Sequence, residues 1–196
     1  MTILNIYRTH PNRKALCVKR DGCWKSWTYA EYLSDVKTFA KAICSLDVQR
    51  FQGVSIIGFN SPEWVIANVG AIFASCLPAG VYTTNGPEAC HYVAEHSGAA
   101  IIVVENATQC AKIKSIRSRL PDLRAIVQWS GPLEGNEEGV YDWATFMGLG
   151  QAVSDEDLAA RTATTTPGNC CTLIYTSGTT GKPKAVMLSH DNITCT

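Results

Sequence analysis

The sequence predicts an α/β fold, alternating strands and helices on a mostly parallel sheet, and three observations lead there. Two apolar runs, 54–58 (VSIIG) and 100–104 (AIIVV), have the length and composition of strands buried on both faces. The segments between such runs carry apolar residues at helical spacing. Start signals precede those segments, and the two periodicities alternate from about residue 24 to the end.

Taken in order, Thr28-Tyr29-Ala30-Glu31 has the form of a capping box, in which a hydroxyl and a carboxylate each satisfy a free backbone N–H. The helix it opens places Tyr32, Leu33, Val36, Ala40 and Ile43 at helical spacing. After the strand at 54–58, Ser61 is a natural N-cap. Pro62 suits the first helical position, where its missing N–H is not needed, and Glu63 faces the positive end of the helix dipole. This second helix runs through Ala67, Gly70, Ala71 and Ala74, a small apolar face suited to close packing. A strand near 79–82 meets the turn Asn85-Gly86-Pro87, followed by a helix over 88–96 and the strand at 100–104. A helix over 110–120 and a strand over 124–129 complete the series. The stretch 130–139 (SGPLEGNEEG) is polar, acidic and glycine-rich, hence a surface loop, with short amphipathic helices after Asp142 and Asp155.

Composition removes several classes of function. Hydrophobic residues make up 46% and charged residues 17%, an ordinary globular balance, and 17 Lys and Arg face 17 Asp and Glu. No basic field exists to hold nucleic acid, so no nucleic-acid partner is expected. The nine cysteines are odd in number and several lie in apolar runs such as 74–77 (ASCL), which fits reduced, mostly buried thiols and a cytoplasmic compartment. Cys90, His91 and His96 do not form a metal site by spacing, since the histidines are five apart and off a common helical face. At the N-terminus, 1–8 (MTILNIYR) puts its charge after a short apolar run, unlike a secretory signal. The stretch 65–81 is interrupted by Asn68, Ser75 and Pro78 and falls short of the roughly 20 apolar residues a spanning helix needs, so it is expected in the core and no transmembrane segment is expected.

The informative stretch is Thr176, Ser177, Gly178, Thr179, Thr180, Gly181, Lys182, Pro183 and Lys184, between apolar strands at 171–175 and 185–188. Glycines let backbone N–H groups turn toward a ligand, four hydroxyls can each donate a hydrogen bond, and the lysines add positive charge. Such a nest suits the oxygens of a polyphosphate. It is not a Walker A loop, because Gly181-Lys182 is followed by Pro183 rather than Ser or Thr. A Thr/Ser/Gly linker joining two strands shares the composition.

YTSGTTGKPK followed by AVMLSHDN closely resembles the signature phosphate loop of the AMP-binding, adenylate-forming superfamily, a long and specific motif. Segments 58–74 and 80–106 resemble long-chain acyl-CoA synthetases of the bubblegum type, and the resemblance covers nearly the whole chain. It implies a fatty acid-CoA ligase: a fatty acid carboxylate attacks the α-phosphate of ATP, pyrophosphate leaves, and the thiol of CoA then displaces AMP. ATP and Mg2+ are the implied cofactors. Thr176 to Lys184 would hold the β- and γ-phosphates, with Lys184 specified by the family pattern and Lys182 at a variable position.

Two positions depart from that pattern. Ala185 stands where glycine usually follows the lysine; a Cβ there costs little in extended backbone and about 1 kcal/mol or more at positive φ. Ser75-Cys76 stands near a usual Gly-Gly pair, so helix-to-strand packing should differ locally. On the resemblance, residues 1–196 are a partial AMP-binding domain cut just after the phosphate loop. The adenine-binding segment, the acidic residue associated with magnesium, the ribose-binding aspartate, the fatty-acid tunnel and the C-terminal domain would all lie downstream. No catalytic residue is then assigned within 1–196, and the chain alone is expected to be inactive. A short non-catalytic nucleotide-binding or interaction module is the alternative. The expected location is the cytoplasm, with peripheral contact at the endoplasmic reticulum membrane left open.

Overall fold

The structure, a computed structural model, describes residues 2–176 and 181–194. Its elements are α1 (Thr2–Thr9), β1 (Lys14–Arg20), β2 (Cys23–Thr28), α2 (Tyr29–Ser45), β3 (Gly53–Ile57), α3 (Pro62–Phe73), β4 (Leu77–Val81), α4 (Pro87–His96) and β5 (Ala99–Val104). There follow α5 (Ala107–Lys114), β6 (Ala125–Gln128), β7 (Val140–Asp142), α6 (Trp143–Leu149), α7 (Asp155–Ala163), β8 (Cys170–Thr176), β9 (Lys184–Ser189) and α8 (His190–Thr194). Seven strands form the main sheet in the order β7-β6-β5-β3-β4-β8-β9, with β1 and β2 in a separate hairpin. Neighbours in the main sheet run parallel except β8 and β9.

Strand alternation sorts the apolar side chains into two cores. Val54, Ile56, Ile101, Val103, Ala125 and Val127 pack with Phe39, Ile43, Ala67, Phe146 and Leu158, on the side of α2, α3, α6 and α7. Ile57, Ile102, Val104, Ile126, Leu173 and Tyr175 pack with Val93, Ala94, Cys110 and Ile113, on the side of α4 and α5. The result is a three-layer arrangement with every residue of β5 buried.

Local signals work as the sequence indicates. Thr28 Oγ1 accepts from Glu31 N at 3.2 Å while the Glu31 carboxylate accepts from Thr28 N at 2.7 Å, completing the capping box. Ser61 Oγ accepts from Trp64 N at 3.1 Å. At Gly70, a Cβ would stand 2.7 Å from the Phe39 ring and 3.1 Å from the Val36 carbonyl, so the small face of α3 is what lets α2 approach. The stretch 65–81 supplies α3 and β4 to the interior, as expected, with Gly80 exposed.

Other boundaries move. The helix expected over 110–120 starts at Ala107, capped by Asn106, and ends at Lys114, with a separate 3-10 turn at Arg117–Arg119. Pro121 follows, and the residue before proline is pushed out of the helical region, so Leu120 takes φ −120° and ψ 77°. Ser154, rather than Asp155, caps α7. Helix α1, the hairpin and the short strand β7 are additions to the expected series. The hairpin's signal is local: Asp21-Gly22 adopt φ +50° and +79°, the turn a right-twisted hairpin favours.

The departure at Ser75 has a structural counterpart. Ser75 sits at φ +54°, a conformation glycine takes freely and serine takes at a cost. Its hydroxyl lies 2.9 Å from Thr165 Oγ1, and Arg161 donates to the carbonyls of Ala74 at 2.6 Å and Val48 at 2.8 Å. The residues at and after the end of α7 thus fasten the turn between α3 and β4.

Candidate functional site

Because β8 runs parallel to β4, its C-terminal end lies with the C-terminal ends of the parallel strands, where open α/β sheets bind ligands. The hydroxyl-rich loop leaves β8 there and returns as β9. The two arms are in register through Tyr175↔Ala185 and Thr176↔Lys184. Thr176 and Lys184 are therefore paired, with Gly181, Lys182 and Pro183 leading into the exit arm, while Ser177, Gly178, Thr179 and Thr180 lie outside the described residues. Gly181 takes φ +103°, open only to glycine at low cost. Thr176, Lys182 and Lys184 are exposed and Pro183 is half-buried, so donors and charge face solvent at the mouth of the loop.

Ala185 lies within β9 opposite Tyr175 and is not among the residues with positive φ. The less costly of the two expectations holds: the methyl group sits on extended backbone and packs against the core on the α4 side.

Helix α4 touches both arms. The Tyr92 hydroxyl donates to the Pro183 carbonyl at 2.9 Å, and Lys182 Nζ stands 4.9 Å from the centre of the Tyr92 ring. One turn later, His96 Nδ1 lies 2.8 Å from the Tyr175 hydroxyl. The Tyr92 and His96 rings stack at 5.5 Å between centroids. Burial pushes the Tyr175 hydroxyl up to about 12, so it stays protonated at neutral pH. Lys182 is thus held on an aromatic face as well as meeting solvent. Tyr92 and His96 were not anticipated as site residues. Their i, i+4 spacing was legible, but Pro183 is 91 residues from Tyr92 in sequence, and nothing local announces that meeting.

Two clefts flank β4 and β8. One of about 380 Å³ is lined by Tyr82, Glu88, Tyr92, Tyr175, Thr176 and Lys182. Another of about 550 Å³ includes Phe59, Trp64, Asn68, Tyr82, Thr172 and Ile174. Tyr82 borders both. Cationic and hydroxyl donors beside aromatic walls suit a ligand with an anionic part and a flat or apolar part. Among the described residues no group of three or more His, Cys, Asp and Glu side chains could hold a metal ion, and no described helix is long and apolar enough to cross a membrane. The eight described cysteines are free; four are buried, and Cys17 and Cys23 on the hairpin are exposed, more open than the expectation of mostly buried thiols.

Comparison with known proteins gives one consistent answer. The AMP-binding enzyme family matches residues 5–196. The chain is 51% identical over 183 residues to the long-chain-fatty-acid–CoA ligase ACSBG2 of Gallus gallus, covering 93% of this chain and 24% of that protein. It is 43% identical over 182 residues to the long-chain-fatty-acid–CoA ligase ACSBG1 of Homo sapiens, covering 93% and 25%. The chain therefore spans about a quarter of the length of these relatives. Among solved structures, an anthranilate CoA ligase, AuaEII, in complex with anthranoyl-AMP aligns with TM-score 0.79 at 24% identity, over 96% of this chain and 34% of that one. The A domain of a carboxylic acid reductase from Segniliparus rugosus aligns with TM-score 0.77 at 15% identity, over 97% and 35%. At these identities the structural likeness speaks for the fold.

Proposed function

Because this chain belongs to the AMP-binding enzyme family, we propose that it forms the ATP phosphate-binding part of a long-chain-fatty-acid–CoA ligase, converting ATP, fatty acid and CoA to acyl-CoA, AMP and pyrophosphate. The observation that carries the reading is the loop itself: Thr176 and Lys184 face each other across the two arms, with Gly181 at positive φ between them, at the carboxyl end of the sheet. When the carboxylate attacks the α-phosphate, charge accumulates on the departing pyrophosphate. In this reading the Thr176 hydroxyl and the Lys184 ammonium would donate to that charge, a binding and electrostatic role. Ser177, Gly178, Thr179, Thr180, Lys182 and Pro183 complete the proposed phosphate contact. Mg2+, which the family implies, would neutralise phosphate charge; its ligands are not assigned to residues of this chain. We also propose a cytoplasmic location with peripheral contact at the endoplasmic reticulum membrane, which the free thiols support in its first part. A non-catalytic nucleotide-binding module is less favoured, since both relatives are named as ligases.

The test joins this segment to the remainder of a relative's chain and follows fatty-acid-dependent ATP–pyrophosphate exchange. Lys184→Ala should lower the rate constant about 10- to 150-fold, the loss of one charge-assisted contact realised in the transition state. The ranking of fatty-acid chain lengths should stay unchanged, because an acyl chain needs apolar walls that the loop does not offer. A changed ranking with unaltered ATP dependence would overturn the reading.

A further inference from the structure

We infer that Tyr92 is a positioning residue for the phosphate loop, with its hydroxyl setting the place of the exit arm and its ring holding the Lys182 charge at the loop mouth. The inference rests on the reading of 176–184 as a phosphate site. Helix α4 is anchored by Cys90, Val93 and Ala94, all buried in the core on its side of the sheet, so the base of the Tyr92 side chain is fixed. From that base Tyr92 reaches Pro183 and Lys182 on the exit arm, while His96, stacked on Tyr92, reaches Tyr175 on the entry arm. One helix face therefore spans both arms and determines the spacing of the mouth.

The chemistry is matched to the place. Pro183 has no N–H, so its carbonyl is the only backbone hydrogen-bonding group it offers, and the Tyr92 hydroxyl takes it. An exposed lysine has many rotamers to lose when it binds an anion. Holding Lys182 over a ring beforehand reduces that loss and leaves the ammonium beside the cleft that Thr176 also lines. Tyr92 acts through Lys182 and Pro183 in this account.

The experiment is calorimetric titration of the chain with tripolyphosphate, for the parent, Tyr92→Phe, Tyr92→Ala, Lys182→Ala and the Tyr92→Ala/Lys182→Ala double variant. Tyr92→Phe keeps the ring and loses the tether, and should weaken binding about two- to tenfold. Tyr92→Ala should weaken it further, and in that background Lys182→Ala should cost less than it does in the parent, a coupling that a merely structural role of Tyr92 would not produce. Backbone amide exchange over 181–186 is read on the same proteins without ligand, and should speed up in Tyr92→Phe. If the parent binds and Tyr92→Phe binds as well as the parent, or if the cycle is additive, the positioning role is wrong. Unchanged amide exchange in Tyr92→Phe overturns it without reference to any ligand. Failure of the parent to bind tripolyphosphate instead removes the phosphate-site reading, and the inference with it.

Discussion

Strands β5 and β8 belong to one sheet and are built to different ends. Every residue of Ala99–Val104 is buried, because α2 and α3 cover one face and α4 and α5 the other. In β8, Leu173 and Tyr175 are buried against α4 while Ile174 is 49% exposed, and its partner Val186 in β9 is 45% exposed. The middle of the sheet is held by area removed from water. The arm that carries the loop is held on one face and by a few directed contacts. Regions that must meet a ligand are drawn from the less firmly held parts of a structure, where few buried contacts oppose a change of shape.

That contrast can be broken first at its strong end. Ile102→Ala, in β5, should cost about 2–5 kcal/mol of unfolding free energy, from lost transfer and the cavity left behind, whereas Ile174→Ala, on the open face of β8, should cost under about 1 kcal/mol. Urea unfolding of the two variants decides it; equal losses would mean the open face is covered in solution.

Alkaline pH sharpens the same comparison. Tyr32 in α2 and Tyr175 in the loop arm both have hydroxyls that burial pushes from an ordinary 10 to about 12. Above pH 10 the unfolded chain gives up these protons while the folded chain keeps them, so the stabilisation is complete below pH 10 and disappears as pH rises through 12. Replacing either tyrosine with Phe should flatten the fall of thermal midpoint over that window. A slope identical to the parent's in both variants would refute the assignment.

The smallest effect belongs to Ala185→Gly. Since Ala185 is extended, glycine relieves no strain and should weaken β9 by roughly 0.5–1 kcal/mol through its greater unfolded-state freedom. Chemical denaturation gives the value, and a gain in stability or in phosphate binding would show that the backbone at 185 needs glycine.

How far the sequence carried this reading varies with the range of the signal. The Thr28 and Ser61 caps, the helices after them and the runs at 54–58 and 100–104 were legible, because each is decided within one turn or one stretch of strand. The Asp21-Gly22 hairpin was legible in principle, but apolar residues at exposed positions, Cys17, Cys23 and Trp24, blur the strand alternation. The end of α5 was misplaced because the buried apolar residues Cys110, Ile113, Ile116 and Leu120 keep helical spacing past Lys114, through the separate turn at Arg117–Arg119.

By itself the sequence determined the α/β class, the caps and the hydroxyls, glycines and lysines gathered in 176–184, since period, capping and side-chain inventory are properties of neighbouring residues. Only the tertiary structure decided that β8 returns beside β4 and that β9 turns back antiparallel. It alone settled that Ala185 is extended, that Ser75 takes positive φ, and that Tyr92 and His96 meet residues 91 and 79 positions away. Those outcomes depend on which strand a crossover delivers next to which, and that is settled by burying two helix-covered faces at once, a condition no local stretch of sequence expresses.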